Sequence, residues 1–199
     1  MANKYSDNAF TGLEAAIVLI AFVVVAAVFS YVVLGAGFFT TQKAQTTVHT
    51  GVAQASSSLE VVGNVYGIAA DANAASLDYL NVTVALTAGG TAMDLSQMVI
   101  SYNDGTTRWT NLTNNTPLTD CTGIISTPTH NAKWCIAQKI NAGDDDMLDP
   151  NEQFMLAIAM PTTAKINTQF TINMQPAVGA VLPITRTIPG SITKVQALY

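Results

Sequence analysis

The amino-acid sequence predicts an α+β protein in which one long hydrophobic N-terminal α-helix is followed by an antiparallel β-sandwich. Three observations support this fold class. No charged side chain occurs from Ala15 to Gln42, and most of that stretch is apolar. Apolar residues then recur at helical spacing as far as Val62. Beyond Asn64 apolar and polar residues alternate, which is the period of a β-strand.

The composition excludes several classes of protein. Of 199 residues, 49% are hydrophobic and 11% are charged, whereas a soluble domain has about 25% charged residues. Such an apolar chain is not intrinsically disordered. The net charge is -5 and the eight basic residues are scattered, so no basic stripe is available to bind phosphates. We therefore expect no nucleic-acid partner.

The N-terminal helix is predicted to meet lipid or an equally dry protein surface. The segment from Ile17 to Phe29 is apolar on every face, and the uncharged stretch exceeds the ~20 residues that cross a bilayer. A secretory signal peptide has a shorter apolar core and a small-residue cleavage site. No clean site of that kind follows Tyr31, so we expect the apolar segment to be retained.

A heptad stripe predicts that this helix continues well past the apolar segment. The stripe comprises Val48, Val52, Ala55, Leu59 and Val62. A helix from Phe10 to Gly63 would be about 80 Å long, more than twice the thickness of a hydrocarbon core. Residues 48–62 therefore pack either on their own globular domain or on identical helices, and both options stay open. For residues 15–39 we favour identical helices, because that segment has no polar face.

Glu14 is a carboxylate inside the apolar region. Its burial costs several kcal/mol unless the charge is neutralised or paired, and no basic residue lies between Tyr5 and Gln42. Cutting the peptide bond before Phe10 would create an ammonium group, on this chain or on a neighbour, at a suitable depth. A protonated Glu14 at the membrane interface is the alternative.

The remainder of the chain is predicted to form about seven antiparallel strands. Alternating apolar positions are separated by turn dipeptides such as Gly89-Gly90 and Asp104-Gly105. These positions are Leu80 to Leu86, Met98 to Tyr102, Phe154 to Met160, Phe170 to Met174, and Leu182 with Ile184.

Two cysteines offer a choice between a disulfide and a metal site. Cys121 and Cys135 close a loop of about 15 residues, for which a disulfide contributes roughly 3 kcal/mol. A metal held by both thiols and His130 is the alternative, but that set lacks a fourth zinc ligand. We favour the disulfide, which suits an extracellular location.

Two further features suggest surface chemistry. Asn81, Asn111 and Asn114 each begin an Asn-x-Thr triplet, the acceptor pattern for N-linked glycans. The segment 143–152 is the one dense acidic cluster in the sequence. Ca²⁺ prefers oxygen ligands, so the cluster predicts either a calcium site or a solvated acidic loop. The candidate metal ligands are Asp144, Asp146, Asp149 and Glu152.

Nothing in the sequence suggests catalysis. The two histidines, His49 and His130, lie at no known catalytic spacing from a Ser, Cys or carboxylate. The pair Gly35-x-Gly37 lacks the third glycine and the preceding strand of a dinucleotide-binding loop. We expect a protein that is not an enzyme and has no nucleotide-driven motor of its own.

The N-terminal residues carry a family resemblance. The run Phe10-Thr11-Gly12-Leu13-Glu14 and its continuation through Phe39 to Lys43 closely resemble the N-terminal helix of archaellins, the filament subunits of the archaeal swimming organelle. The stretch from Leu182 to Val195 is similar to the C-terminal region of that family. The middle of the chain carries no recognisable motif.

The resemblance implies a leader peptide over residues 1–9, a filament-core helix over residues 10–63 and an immunoglobulin-like outer domain over residues 64–199. A dedicated peptidase at the inner face of the membrane would cut between Ala9 and Phe10, making Glu14 the fifth mature residue. Phe10 and Glu14 would then set the register of assembly. Archaellins commonly carry N-linked glycans and some have an acidic loop before a late strand, which favours both surface sites.

The function implied is that of a structural subunit of the archaeal motility filament. We expect an extracellular homopolymer, or a polymer that also contains related archaellins. We also expect a membrane-anchored precursor that meets the leader peptidase and the export and motor machinery. Two alternatives stay open: an archaeal adhesion pilus subunit, and an exported binding module tethered by one transmembrane helix.

Overall fold

The computed structural model describes residues 4–72 and 74–199, with the side chains of residues 4–11, 53, 55 and 56 outside the description. The chain divides into two compact units, Met1–Thr50 and Gly51–Tyr199. Within these residues one α-helix, α1, covers Lys4–Ser56, and a short 3-10 helix covers Leu95–Gln97. The same part of the chain contains twelve strands after α1. They are β1 Leu59–Val61, β2 Val65–Ile68, β3 Tyr79–Leu86, β4 Met93–Asp94, β5 Val99–Asn103, β6 Arg108–Asn114, β7 Lys133–Ile140, β8 Met147–Leu148, β9 Gln153–Ala159, β10 Gln169–Gln175, β11 Leu182–Thr187 and β12 Val195–Leu198.

The end of α1 corrects the prediction that the helix reaches Gly63. The helix stops at Ser56, and Leu59, which the heptad stripe assigned to it, pairs with Leu86 in the sheet. Three consecutive serines, 56–58, follow the last helical alanine, and serine competes with the helix for backbone hydrogen bonds. The Ser58 carbonyl instead accepts a hydrogen bond from the Thr87 N–H at 3.0 Å.

The exit from the helix is tightly packed against the loop between β10 and β11. The Ala180 N–H donates to the Ser57 carbonyl at 3.3 Å, and the Gln54 side-chain amide donates to the Gly179 carbonyl at 3.0 Å. Gly179 has φ +121°, and a Cβ at this position would overlap the Ser57 carbonyl oxygen. Glycine is therefore required here both by the backbone conformation and by the close approach.

Ten strands form one connected sheet, and β4 and β8 form a separate pair. The order along the large sheet is β11-β10-β5-β6-β7-β9-β3-β2-β12, with β1 paired to β3. The first part of β6 pairs with β5, whereas Thr113 and Asn114 at its end pair in parallel with β7. Strand β6 thus connects a first group of strands, β11, β10 and β5, to a second group, β7, β9, β3, β2, β12 and β1.

The two groups of strands share one hydrophobic core. Alternate residues of β3 are buried, as the period-two pattern requires. Tyr102 on β5 stacks on Phe170 of β10 at a centroid distance of 5.9 Å. These rings belong to the same buried cluster as Trp134 and Phe154 of the other group. This shared core is the packing that a two-layer β domain needs.

The predicted fold class is confirmed, since a long apolar helix precedes a large, mostly antiparallel β domain. The expectation of about seven strands, all antiparallel, is wrong in detail. Short strands such as β1, β4 and β8 bury too few alternating residues to show a period in the sequence. The parallel pairing of β6 with β7 joins segments that are distant in sequence, and local patterns do not report such contacts.

Candidate assembly helix and outer-domain sites

Helix α1 exposes apolar side chains on every face. Leu13, Phe22 and Tyr31 are 63%, 77% and 80% exposed. The segment Gly12–Val52 has the length and composition of a membrane-crossing helix, and none of its most apolar window is buried. Its 41 residues would extend about 60 Å, roughly twice a hydrocarbon core. Apolar surface of this size must be covered by lipid, protein or both.

The threonines after Phe39 keep the helix surface less polar than its sequence suggests. Each donates its hydroxyl proton to the carbonyl four residues earlier, at 2.8 to 2.9 Å. These residues are Thr40, Thr41, Thr46, Thr47 and Thr50. Because the hydroxyls are satisfied within the helix, these threonines add no unpaired hydroxyl donor to its surface.

The leader and its cleavage bond lie at the edge of what the structure describes. Residues 1–3 are outside the described chain, and the side chains of Ala9 and Phe10 are outside it as well. Glu14 is exposed on α1. The described residues contain two ion pairs, His130 with Asp78 and Lys139 with Asp146, and neither includes Glu14. The proposed pairing of Glu14 with the Phe10 amine therefore stays a prediction.

Cys121 and Cys135 form a disulfide, with a Cα–Cα distance of 5.4 Å. Cys135 is fully buried on β7 and packs with Ile124, Ala157 and Ala159. The bond thus holds the loop before β7 over the outer face of β9, which explains why successive residues at the end of β9 are buried on both faces.

His130 takes no part in a thiol metal site. Its Nδ1 lies 2.8 Å from the Met160 carbonyl oxygen and its Nε2 lies 3.5 Å from the Asp78 carboxylate. The alternative of a metal bound by both cysteines and His130 is wrong, because both sulfurs are used in the disulfide.

The acidic cluster is not arranged as a metal centre. Within residues 4–72 and 74–199 no three His, Cys, Asp or Glu side chains converge on one point. Asp146 lies 3.3 Å from the Lys139 ammonium. Glu152 accepts a hydrogen bond from the Asp149 backbone N–H at 2.9 Å and so closes a separate turn. The fourth predicted ligand, the Asp144 carboxylate, is exposed and forms no cluster with the other three. The geometry therefore does not support the predicted calcium site.

The three glycan acceptor triplets differ in accessibility. Asn111 and Asn114 are exposed on β6, and the Asn114 side-chain amide donates to the Ser96 carbonyl at 3.2 Å. Asn81 lies in the middle of β3, between Tyr66 of β2 and Ala157 of β9. Its side-chain oxygen is buried without a hydrogen-bond partner among the described residues. Asn111 and Asn114 are thus accessible, whereas Asn81 is not.

A polar network around Asp104 was not predicted from the sequence. The Thr163 hydroxyl donates to one carboxylate oxygen at 2.6 Å, and so does the Tyr102 hydroxyl at 3.0 Å. The backbone N–H groups of Thr106 and Thr107 donate to the other oxygen. The Asp104-Gly105 dipeptide indicated a turn, but the link to Thr163 on a distant loop had no signal.

A bare apolar helix joined to a folded β domain defines a protein that is anchored or assembled through its helix. A family model described as archaeal-type flagellin matches residues 9–186. Probable flagellin 2 and probable flagellin 1 of Archaeoglobus fulgidus are 40% and 38% identical to this chain. These matches cover 96% and 97% of this chain and 94% and 96% of the two relatives, respectively.

A solved structure agrees with these matches. The archaeal flagellum of Methanospirillum hungatei strain JF1 aligns with a TM-score of 0.68 and 32% identity, over 94% of this chain and 98% of that chain. This chain belongs to the archaeal-type flagellin family. It is a structural subunit of the archaeal flagellum, an extracellular homopolymeric filament. The family expected from the N-terminal residues is confirmed.

Proposed function

We propose that this flagellin polymerises through α1, with the β domain on the outside of the filament. The single observation that carries the proposal is the exposure of apolar side chains all around Gly12–Val52. Lipid covers about 30 Å of such a helix, so copies of the same helix are the cover that fits its full length. Gly35 and Gly37 support close helix approach, because glycine has no side chain to separate two helix backbones.

The precursor would be anchored in the membrane by the same helix before it joins the filament. We propose that a leader peptidase removes residues 1–9, cutting between Ala9 and Phe10. The family match supports this boundary, since it begins at residue 9. The new ammonium group of Phe10 would then provide the positive charge that Glu14 needs in an apolar environment.

The subunit's mechanical role would be passive. An external, nucleotide-driven motor would supply torque, and the packed helices would transmit it along the filament. The outer domain would be adapted to the extracellular side by its disulfide and by N-linked glycans. Asn111 is favoured as acceptor because it is exposed, whereas the Asn114 amide is hydrogen-bonded to the Ser96 carbonyl.

The main test is N-terminal sequencing of filaments sheared from cells, combined with electron microscopy. We expect thin filaments whose subunits begin at Phe10 and whose Asn111 peptide carries a glycan mass. Subunits that retain Met1 would contradict the leader, and a monomeric protein that remains in the membrane would contradict polymerisation. Normal swimming after deletion of the coding sequence would favour an adhesion role.

Replacement of Glu14 tests its role in assembly. In the Glu14→Ala variant we expect filament yield to fall at least about tenfold, because a buried ammonium group loses its partner. The amount of precursor in membranes should stay unchanged, since the β domain does not depend on this residue. Glu60→Ala, an exposed carboxylate in β1, is the matched control. Normal filament yield from Glu14→Ala would contradict the assignment.

A further inference from the structure

The loop between β7 and β8 wraps around a positive charge supplied by the chain itself. This loop contains Asp144, Asp145 and Asp146. Lys139, on the preceding strand, reaches into it with a side chain that is only 13% exposed. A lysine this buried is uncommon unless its charge is compensated. The atoms that contact the Lys139 ammonium therefore show how the loop compensates this charge.

The Lys139 ammonium has three N–H donors, and three oxygens of the loop face it. The Asp144 carbonyl oxygen lies 2.9 Å from Nζ, the Asp145 carbonyl oxygen is also in contact, and the Asp146 carboxylate oxygen lies at 3.3 Å. Two carbonyls and one carboxylate thus converge on one cation. Ca²⁺ is bound in proteins by the same types of oxygen ligand.

The aromatic ring of Phe154 also contacts the Lys139 ammonium. Lys139 pairs across the strands with Phe154 of β9, which is fully buried. The Lys139 Nζ lies 5.4 Å from the centre of that ring, within the range of a cation–π contact. The stem of the lysine therefore stays on the Phe154 ring while the loop closes over the charged end.

The closed loop also positions the strand that follows it. The carbonyl of Asp146 accepts a hydrogen bond from the Leu95 N–H at 3.1 Å, and β8 then pairs with β4. Without a cation, the oxygens of residues 144–146 would face one another and repel. Holding them together requires a positive charge at this point.

We propose that the loop between β7 and β8 is a cation-binding loop whose resident cation is the Lys139 ammonium, in the place that a divalent metal ion would otherwise occupy. The chain carries its own counter-ion, so the order of this loop is independent of divalent cations. Removing the ammonium leaves an all-oxygen site that Ca²⁺ can enter, with water completing its shell. Mg²⁺ fits less well, because it requires a more rigid octahedral arrangement.

The test is limited proteolysis of the full chain in detergent micelles, which does not depend on filament formation. A protease that cuts before aspartate reports the opening of residues 144–146, with the released peptides quantified by mass spectrometry. The variant is Lys139→Met, which keeps an unbranched stem over Phe154 and removes the charge. Lys165→Met is the matched control, because Lys165 is exposed and lies on a different loop.

We expect the unaltered chain and Lys165→Met to be cut at the same rate in EDTA and in millimolar CaCl₂. Lys139→Met should be cut about tenfold faster in EDTA, because charge-assisted hydrogen bonds that close the loop are lost, and CaCl₂ should slow this cleavage more than MgCl₂ does. Should Lys139→Met fail to fold, Lys139→Leu, which also lacks both the charge and the N–H donors, takes its place with the same expectation.

Three results would overturn the proposal. Loss of protection of the unaltered chain in EDTA would mean that a metal is the resident cation. Cleavage of Lys139→Met at the unaltered rate would mean that the ammonium does not order the loop. Acceleration that CaCl₂ leaves unchanged would mean that the oxygens of residues 144–146 do not form a cation site once the ammonium is removed.

Discussion

At the scale of single residues, Asp104 shows how one carboxylate ties a hairpin turn to a distant loop. Partial burial raises its pKa, but hydrogen bonds from Thr163, Thr107, Thr106 and Tyr102 outweigh that effect. The net pKa of Asp104 therefore lies below its ordinary value. The Tyr102 pKa moves upward, first because the ring is buried and then because the Asp104 charge disfavours a phenolate.

The lowered pKa of Asp104 predicts an acid-sensitive contribution to stability. The unfolded chain binds this proton more readily than the folded chain, so the contribution is complete above the ordinary pKa of about 4 and is lost as the pH falls through the folded value. In Asp104→Asn we expect a lower melting temperature at neutral pH and a smaller further decrease in acid. Circular dichroism melts of the detergent-solubilised chain from neutral to acidic pH measure both.

The control for Asp104→Asn is Asp71→Asn, because Asp71 is exposed. Its melting temperature should follow that of the unaltered chain at every pH. If Asp104→Asn loses stability in acid as steeply as the unaltered chain does, the hydrogen-bonded carboxylate is not the acid-sensitive group.

At the scale of elements, the disulfide holds a loop over a sheet face that would otherwise be exposed. Ile124 in that loop is buried against Ala157 and Ala159 of β9. In the double variant Cys121→Ala with Cys135→Ala, we expect the free energy of unfolding to fall by about 3 kcal/mol, as the chain-entropy model gives for a loop of this length. Alanine is chosen because it places no hydroxyl at the buried position of Cys135.

Thermal melts of the solubilised chain measure the loss of stability in the double alanine variant. The same melts in the presence of a reducing agent provide an independent comparison. Reduction should lower the melting temperature of the unaltered chain and leave the double alanine variant unchanged. Equal melting temperatures for the two proteins under oxidising conditions would show that the bond adds no stability. The strand pattern of β7 would persist in all cases, because its core-facing Trp134 and Ile136 are unaffected.

At the scale of the whole molecule, the uncharged segment of α1 from Ala15 to Phe39 predicts an assembly in which none of its faces meets water. Val23 and Val25 are 59% and 67% exposed. Their side chains point in nearly opposite directions, since residues two positions apart in an α-helix differ by about 200° around its axis. A lysine in a dry helix costs about 3 kcal/mol. We therefore expect both Val23→Lys and Val25→Lys to reduce filament yield more than tenfold.

Sheared filament yield, normalised to the subunit in whole-cell immunoblots, measures this effect. Gln42→Lys is the matched control, because it places a charge beside Lys43 in the segment that already carries polar side chains. It should retain most of the yield. A strong effect on one face and none on the other would contradict burial of the helix on all sides.

Features with a local physical cause could be predicted from the amino-acid sequence alone. Continuous apolar residues from Ile17 to Phe29 specify a helix that avoids water, and the alternation in β3 specifies a strand with one buried face. The N-terminal motif around Glu14 also identified the family. Each of these signals is complete within one short segment, so it could be seen without knowing what packs against it.

Features that depend on partners distant in the chain became visible only in the folded protein. Leu59 continues a helical period, yet it lies in a strand, because pairing with Leu86 and the hydrogen bonds at Ser57 and Ser58 outweigh a weak local preference. The acidic loop has the composition of a calcium site, yet Lys139 lies among its oxygens because β7 places it there. The energy of such contacts comes from groups brought together by folding, which a local pattern cannot encode.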